Sequence, residues 1–234
     1  LCETRQPKEK MYRLRNRLGL AGFEGVSSDG RSGGLALFWH ESVSLVVQEA
    51  NNRWIDAYVR LSPDDPLWRV TFVYGEPRVE NRHFMWDSLR RLSRHSALPW
   101  MLVGDFNEAM WDYEHMSETP RAPGQMLSFR DALETCGLID MGFTGYPFTY
   151  DNRRGGRANV QVRLDRAVAT NTWRDMFADA VVRHLVSPAS DHCPVLVSCI
   201  LDTAPRPGRW RRYGVMWERD HALNEVVAGA WGAA

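Results

Sequence analysis

The stretch Trp100-Met101-Leu102-Val103-Gly104-Asp105-Phe106-Asn107 constrains the fold most. Four apolar residues in a row suit a short strand covered on both faces, so packed layers must lie on each side of its sheet. Gly104 then allows a sharp exit. Side chains two apart on an extended backbone point the same way, so Asp105 and Asn107 can share one site while Phe106 turns into packing. The ordinary alternative is that both are turn residues bonding their own backbone.

Around this strand the texture is mixed. Residues 1–4 read as the end of a strand. Pro7 starts a helix with Met11, Leu14 and Leu18 at helical spacing before Gly19. Apolar runs at 34–39, 43–49, 54–61 and 68–74, separated by turn residues, predict an antiparallel meander. A helix over 80–96 presents Phe84, Met85, Leu89 and Leu92 to the core and its arginines to water. Residues 108–124 read as a polar surface loop. A third helix over 125–136 ends at Gly137. Short strands at 138–140 and 148–150 follow, then the turn 151–156 and a strand over 160–168, a hairpin signal. A brief helix at 172–177 precedes strands at 180–186 and 194–201. From 202 a Pro/Arg/Gly-rich linker leads to a helix carrying Val226, Val227 and Trp231. Two β-rich halves, each with helices, imply an α/β (α+β) architecture of sheet packed on sheet with helices outside.

The 234 residues suffice to bury a sizeable core, and the formal charge of zero argues against a generally basic nucleic-acid coat while leaving room for a local basic groove. Only Lys8 and Lys10 are lysines among the 29 basic residues, and arginine suits bidentate phosphate contacts, although GC-rich coding gives the same bias. Four dispersed cysteines without a CxxC fit reduced thiols of an intracellular protein. No apolar run approaches the ~18 residues of a membrane span.

Three further clusters could carry chemistry, each with a plain alternative. Glu3 ends the first segment, where it could equally be a solvated acid. Arg163-Leu164-Asp165-Arg166 puts an aspartate inside an apolar strand, where the arginines could simply pair with it. Ser190-Asp191-His192-Cys193-Pro194 puts an acid and an imidazole in a turn before the last strand, which a capped turn also explains.

In order and spacing, Leu1-Cys2-Glu3-Thr4, Val73-Tyr74-Gly75-Glu76-Pro77, Gly104-Asp105-Phe106-Asn107, Leu164-Asp165 and Ser190-Asp191-His192 together resemble the endonuclease/exonuclease/phosphatase family, which includes DNase I-like and apurinic-site nucleases. The resemblance covers residues 1–201. Gly33-Gly34-Leu35-Ala36, Tyr74-Gly75-Glu76-Pro77, Phe148-Thr149-Tyr150-Asp151-Asn152 and Arg163-Leu164-Asp165-Arg166 look most like the endonuclease domain of plant non-LTR (LINE-type) retrotransposon proteins, and residues 202–234 look like the linker to a reverse transcriptase.

The resemblance implies a four-layer sandwich of two packed mixed β-sheets with outer helices, and Mg²⁺-dependent phosphodiester hydrolysis, with Mn²⁺ as a substitute metal. Glu3 and Asp191 would be metal ligands. Asp105 would activate water with Asn107 beside it, His192 would donate to the phosphate with its ring fixed by Asp165, and Tyr74 would bond the phosphate. Arg153, Arg154 and Arg157 on the hairpin turn would meet the DNA minor groove; a solvated hairpin tip is the alternative. A monomer acting on DNA in the nucleus follows. The family's first strand, with its metal-site asparagine, has no counterpart after Leu1, so the expectation is an N-terminally truncated domain of weakened activity. The other readings are a non-catalytic retroelement remnant and a phosphatase or phosphodiesterase of the same fold acting on a phosphoinositide or nucleotide.

Overall fold

Residues 1–5 run beside the segment 33–36, with Ala36 N–H donating to the Leu1 carbonyl (3.0 Å) and the Thr4 and Arg5 amides to those of Gly34 and Gly33. They are not the regular strand expected, because Glu3 and Arg5 both take φ of 50°, in the left-handed region. The computed structural model describes residues 1–30 and 33–199, all within the compact unit Leu1–Leu201. The linker and helix expected over 202–234 lie outside the described residues.

After Pro7 comes α1 (Lys8–Arg17), then β1 (Gly22–Val26) and β2 (Leu35–Trp39), an antiparallel pair. The meander follows as β3 (Ser44–Ala50), β4 (Trp54–Arg60) and β5 (Trp68–Tyr74). Helix α2 (Arg82–Leu92) crosses over to β6 (Trp100–Asp105), which pairs parallel with β5, a connection that two-residue turns cannot make. The remaining elements are β7 (His115–Met116), α3 (Pro123–Thr135), β8 (Ile139–Asp140), β9 (Thr144–Gly145), β10 (Tyr150–Asp151), β11 (Gln161–Val162), β12 (Asp165–Ala169), α4 (Asn171–Met176), β13 (Val181–His184) and β14 (Val195–Ser198). Among the described residues the sheets run β3-β4-β5-β6-β12-β8, β14-β13-β9, β10-β11-β7 and β1-β2.

The six-stranded sheet is covered on both faces, as its apolar central strand requires. On one face Trp54, Val73, Leu102 and Val168 pack against Trp86, Leu89, Phe129 and Leu133 of α2 and α3. On the other, Ala57, Val70, Met101 and Ala169 meet Trp173, Phe177 and Val197, while Ile55 and Tyr74 meet Leu35 and Leu37 of β2. Burying each large side chain contributes roughly 1.5–3 kcal/mol. Helix α1 lies outside β1, with Tyr12 edge-on to Phe23. This is the expected layering, except that the second sheet is in two separate pieces, β1-β2 and β14-β13-β9.

Three local expectations change and a fourth is qualified. Phe84 is 63 % exposed, and Trp86 is buried instead, because the core-facing stripe of α2 runs through Arg82, Met85, Trp86, Leu89 and Leu92. The segment 108–124 is mostly exposed, as a surface loop should be, but it also encloses two buried acids, Glu108 and Glu114. Gly104 does not end its strand: at φ 143° it stays in the ladder, and a Cβ there would lie 2.1 Å from the Val73 carbonyl oxygen. The strand over 160–168 is two strands, β11 and β12, in different sheets. At the break, Arg163 and Arg166 turn into a buried network with Glu114 and Asp140, at 2.8–2.9 Å, rather than to Asp165.

Candidate active site

Strand register assembles the first part of the site. Parallel pairing sets Tyr74 opposite Asp105, and antiparallel pairing sets Asp165 opposite Asp105. Two strands ending and one beginning at the same sheet edge therefore present a phenol and two carboxylates side by side.

Asn107 converges on Asp105 by a different route from the one its spacing suggests. It takes φ of 56°, so the backbone is not extended there. Its N–H donates to Asp105 Oδ1 (2.7 Å), and its side-chain amide donates to Asp105 Oδ2 (3.0 Å) and the Gly75 carbonyl (3.1 Å). This is local side-chain-to-backbone bonding of the kind Asp and Asn favour, here tightening a site. Phe106 is fully buried, as expected.

His192 reaches the cluster from the turn before β14. Its Nδ1 lies 2.8 Å from Asp165 Oδ2, and its ring centroid lies 5.2 Å from that of Tyr150. Thr149 holds both partners. Its buried hydroxyl accepts from the Leu164 and Asp165 amides (2.9 and 2.8 Å), and its carbonyl accepts from Cys193 N–H (2.7 Å). Ligating atoms of Asp105, Asp165 and His192 all lie within 4.8 Å of one another.

The electrostatics follow from that crowding. Burial, then the neighbouring Asp165, pushes Asp105 up to about 7, with His192 and the Asn107 amide pulling back. Burial alone would lower His192, but the hydrogen bond and charge of Asp165, with Asp105 and Asp191, carry it up to about 9. Burial and Glu3 keep the Tyr74 phenol protonated. Its hydroxyl donates to Glu3 Oε1 (2.5 Å), whose other oxygen pairs with Arg5 (3.1 Å).

The remaining sequence-picked residues lie further out. Glu3 and Asp191 are not in the three-residue cluster: Glu3 sits one phenol away, and Asp191 is exposed beside His192, its carbonyl accepting from Asp151 N–H. Arg153 folds back, donating to the Ser187, Pro188 and Ser190 carbonyls and so bracing the loop before His192. Arg154 is exposed on the hairpin, and Arg157 pairs with Glu118 at the surface.

Sequence reasoning missed the supports. Buried Glu108 pairs with Arg82 and Arg121, and Arg82 also donates to the Glu76 and Pro77 carbonyls, clasping the two loops that flank the site. A signal existed: an arginine opening a helix opposes the macrodipole. Arg53, paired with Glu76 and donating to the Gly75 carbonyl, carried none, and Thr149 stood out only as part of the Phe148–Asn152 motif.

The donor set fits a hard divalent cation such as Mg²⁺, which takes carboxylate oxygens. Two buried carboxylates face each other at paired strand ends, where a cation would offset their repulsion, and Glu3 supplies a third carboxylate nearby.

Acid and imidazole groups gathered at one edge of a layered α/β sandwich define a DNase I-like fold with a candidate hydrolytic centre. The chain belongs to the endonuclease/exonuclease/phosphatase family, whose model matches residues 1–192. Members are generally hydrolytic nucleases or phosphatases. Solved structures with the same fold include the endonuclease domain of TRAS1, a telomere-specific non-LTR retrotransposon (16 % identity, 86 % of this chain and 95 % of that one, TM-score 0.56). Others are the AP endonuclease LMAP of Leishmania major (19 %, 83 % and 75 %, 0.58) and the APE2 catalytic domain of Xenopus laevis (15 %, 88 % and 84 %, 0.59). No curated protein matches the chain. Among the described residues, no helix is long and apolar enough to cross a membrane.

Proposed function

We propose that this chain is a divalent-metal-dependent phosphodiesterase, the DNA-nicking endonuclease domain of a LINE-type retroelement protein. The observation that carries the hydrolase reading is the convergence of Asp105, Asp165 and His192 within 4.8 Å at one sheet edge. The retroelement reading rests on the linker-like tail and the motifs shared with that group, and on the fold shared with the TRAS1 domain.

In this reading Glu3 and Asp191 would hold Mg²⁺, or Mn²⁺ in its place, next to the Asp105 carboxylate. The bound ion supplies charge neutralisation for the phosphorane-like transition state and the leaving 3′ oxygen. Asp105, raised to about 7, is poised to take the proton of the attacking water near neutral pH. Asn107 orients that carboxylate and offers the phosphate a neutral donor. His192, kept as imidazolium by Asp165, donates to a non-bridging phosphate oxygen. Tyr74, whose phenol stays protonated, would donate its hydroxyl hydrogen to a phosphate oxygen. Arg154 and Arg157 contact the DNA backbone, with Arg153 bracing the turn. Residues 1–201 form the nuclease domain and 202–234 the linker to a reverse transcriptase, in a monomeric nuclear protein.

The test is nicking of supercoiled plasmid. Mg²⁺-dependent conversion to open circle, stopped by EDTA and by Asp105→Ala or His192→Ala, is the expected result. Absence of nicking by folded protein, with hydrolysis of a phosphoinositide or nucleotide instead, would move the activity to a smaller substrate. Absence of both would leave a non-catalytic remnant.

A further inference from the structure

Beside the site lies an open cleft of about 450 Å³, within the range of small-ligand sites. Its lining is chemically specific. Trp54 and Met85 form an apolar floor, Phe84 stands 63 % exposed, and the amides of Asn52 and Asn81 lie around them. Asn81 occupies the N-cap position of α2, yet its side chain makes no capping hydrogen bond, so its amide is not spent on the helix. Phe84 likewise has no place in the core: one side of its ring lies against that of His83 (centroids 3.9 Å), and the rest stands in solvent on a helix whose other large apolar side chains are buried.

The charges in the cleft cancel. Arg53 and Glu76 pair with each other, so the cleft has no net charge with which to hold a phosphate. Amides that both donate and accept, an aromatic ring and an apolar floor match the edge and the face of a nucleobase. The cleft also adjoins the candidate active site through one atom. The Gly75 carbonyl accepts from Arg53, in the cleft wall, and from Asn107, beside Asp105.

We infer that this cleft is a nucleobase subsite, receiving an unstacked base that flanks the cleaved phosphodiester, with Phe84 stacking on its face and Asn81 reading its edge. The inference rests on the proposed phosphodiester reading for its position in the substrate, but base binding itself does not require catalysis. Stacking on one aromatic ring corresponds to roughly a tenfold change in affinity.

The experiment is ligand-observed saturation-transfer NMR on the full chain with deoxyadenosine and, separately, deoxyribose 5-phosphate. Expected are saturation through the base protons of deoxyadenosine, no comparable binding of deoxyribose 5-phosphate, and binding weakened about tenfold by Phe84→Ala and reduced by Asn81→Ala. Asp105→Asn leaves it unchanged. Phe84 is exposed, so its removal does not threaten folding, and circular dichroism verifies that. Deoxyadenosine binding that ignores both cleft substitutions, preference for the sugar phosphate, or no binding by folded protein each overturns the subsite. Failure of plasmid nicking with Phe84-dependent base binding intact overturns the hydrolase reading alone.

Discussion

Replacing Asp165 with Asn tests the electrostatic centre of the site, since it removes a charge but keeps an oxygen able to accept from His192 Nδ1. In the wild type His192 sits at about 9 against an ordinary 6.5, burial being outweighed by the Asp165 hydrogen bond and charge. At about pH 7.5 a group at 9 is about 97 % protonated, whereas one at 6.5 is about 9 % protonated. Asp165→Asn should therefore bring His192 back to or below its ordinary value and cost about tenfold in any rate that needs the imidazolium. Because the folded value is raised, the pair's stabilisation is fully present below pH 6.5 and lost as pH climbs through 9. The rise from 6.5 to about 9 corresponds to an upper value of about 3 kcal/mol, and since the side chains are 26 % and 8 % exposed, solvent screening removes only part of it. The assay is NMR titration of the histidine Cε1–H signals in EDTA, with His192→Gln to assign the resonance, and urea unfolding at pH 6 and 9.5. Wild type should lose on the order of 2–3 kcal/mol more than Asp165→Asn between those pH values. A wild-type His192 titrating below 7, or at the same pH in both proteins, would refute the reasoning.

Asp105→Asn should abolish nicking yet stabilise the fold at pH 8 by on the order of 2–4 kcal/mol. A buried carboxylate raised to about 7 is costly once ionised, and that cost is absent at low pH. Differential scanning calorimetry should show a higher Tm for the variant without metal, and Mg²⁺ should raise the wild-type Tm more than the variant's, since the variant lacks one carboxylate charge beside the metal site. Glu114→Gln weakens the buried network with Arg163 and Arg166 and should cost about 3–5 kcal/mol in urea unfolding; a loss under 1 kcal/mol would show that the network is dispensable. Gly104→Ala forces a Cβ to 2.1 Å from the Val73 carbonyl oxygen, so the variant should unfold at least 10 °C lower, because β5 and β6 must separate.

Much of the site is legible along the chain because its residues end or begin strands, and strand ends announce themselves. Asp105 closes an apolar run, Asp165 opens one, and His192 precedes another. The supports are not legible in this way. Glu108 and Glu114 sit in a stretch as polar as any surface loop, and only their arginine partners, 26 and 13 residues away for Glu108 and 49 and 52 for Glu114, make their burial tolerable. Arg153 reads as a groove residue until the loop 187–190 is folded against it.

The sequence by itself determined most of the strands and helices, since apolar period and turn residues act locally, and it marked Tyr74, Asp105 and Asp165 as strand-end residues, but not the irregular path of 1–5 or the break between β11 and β12. Only the tertiary structure decided that β5, β6 and β12 align so that Tyr74, Asp105 and Asp165 meet, since register depends on pairing between segments far apart in the chain. It also decided the ionisation of the cluster. A carboxylate's affinity for a proton depends on burial and on its neighbours, and at Asp105 both are properties of the assembled sheet edge.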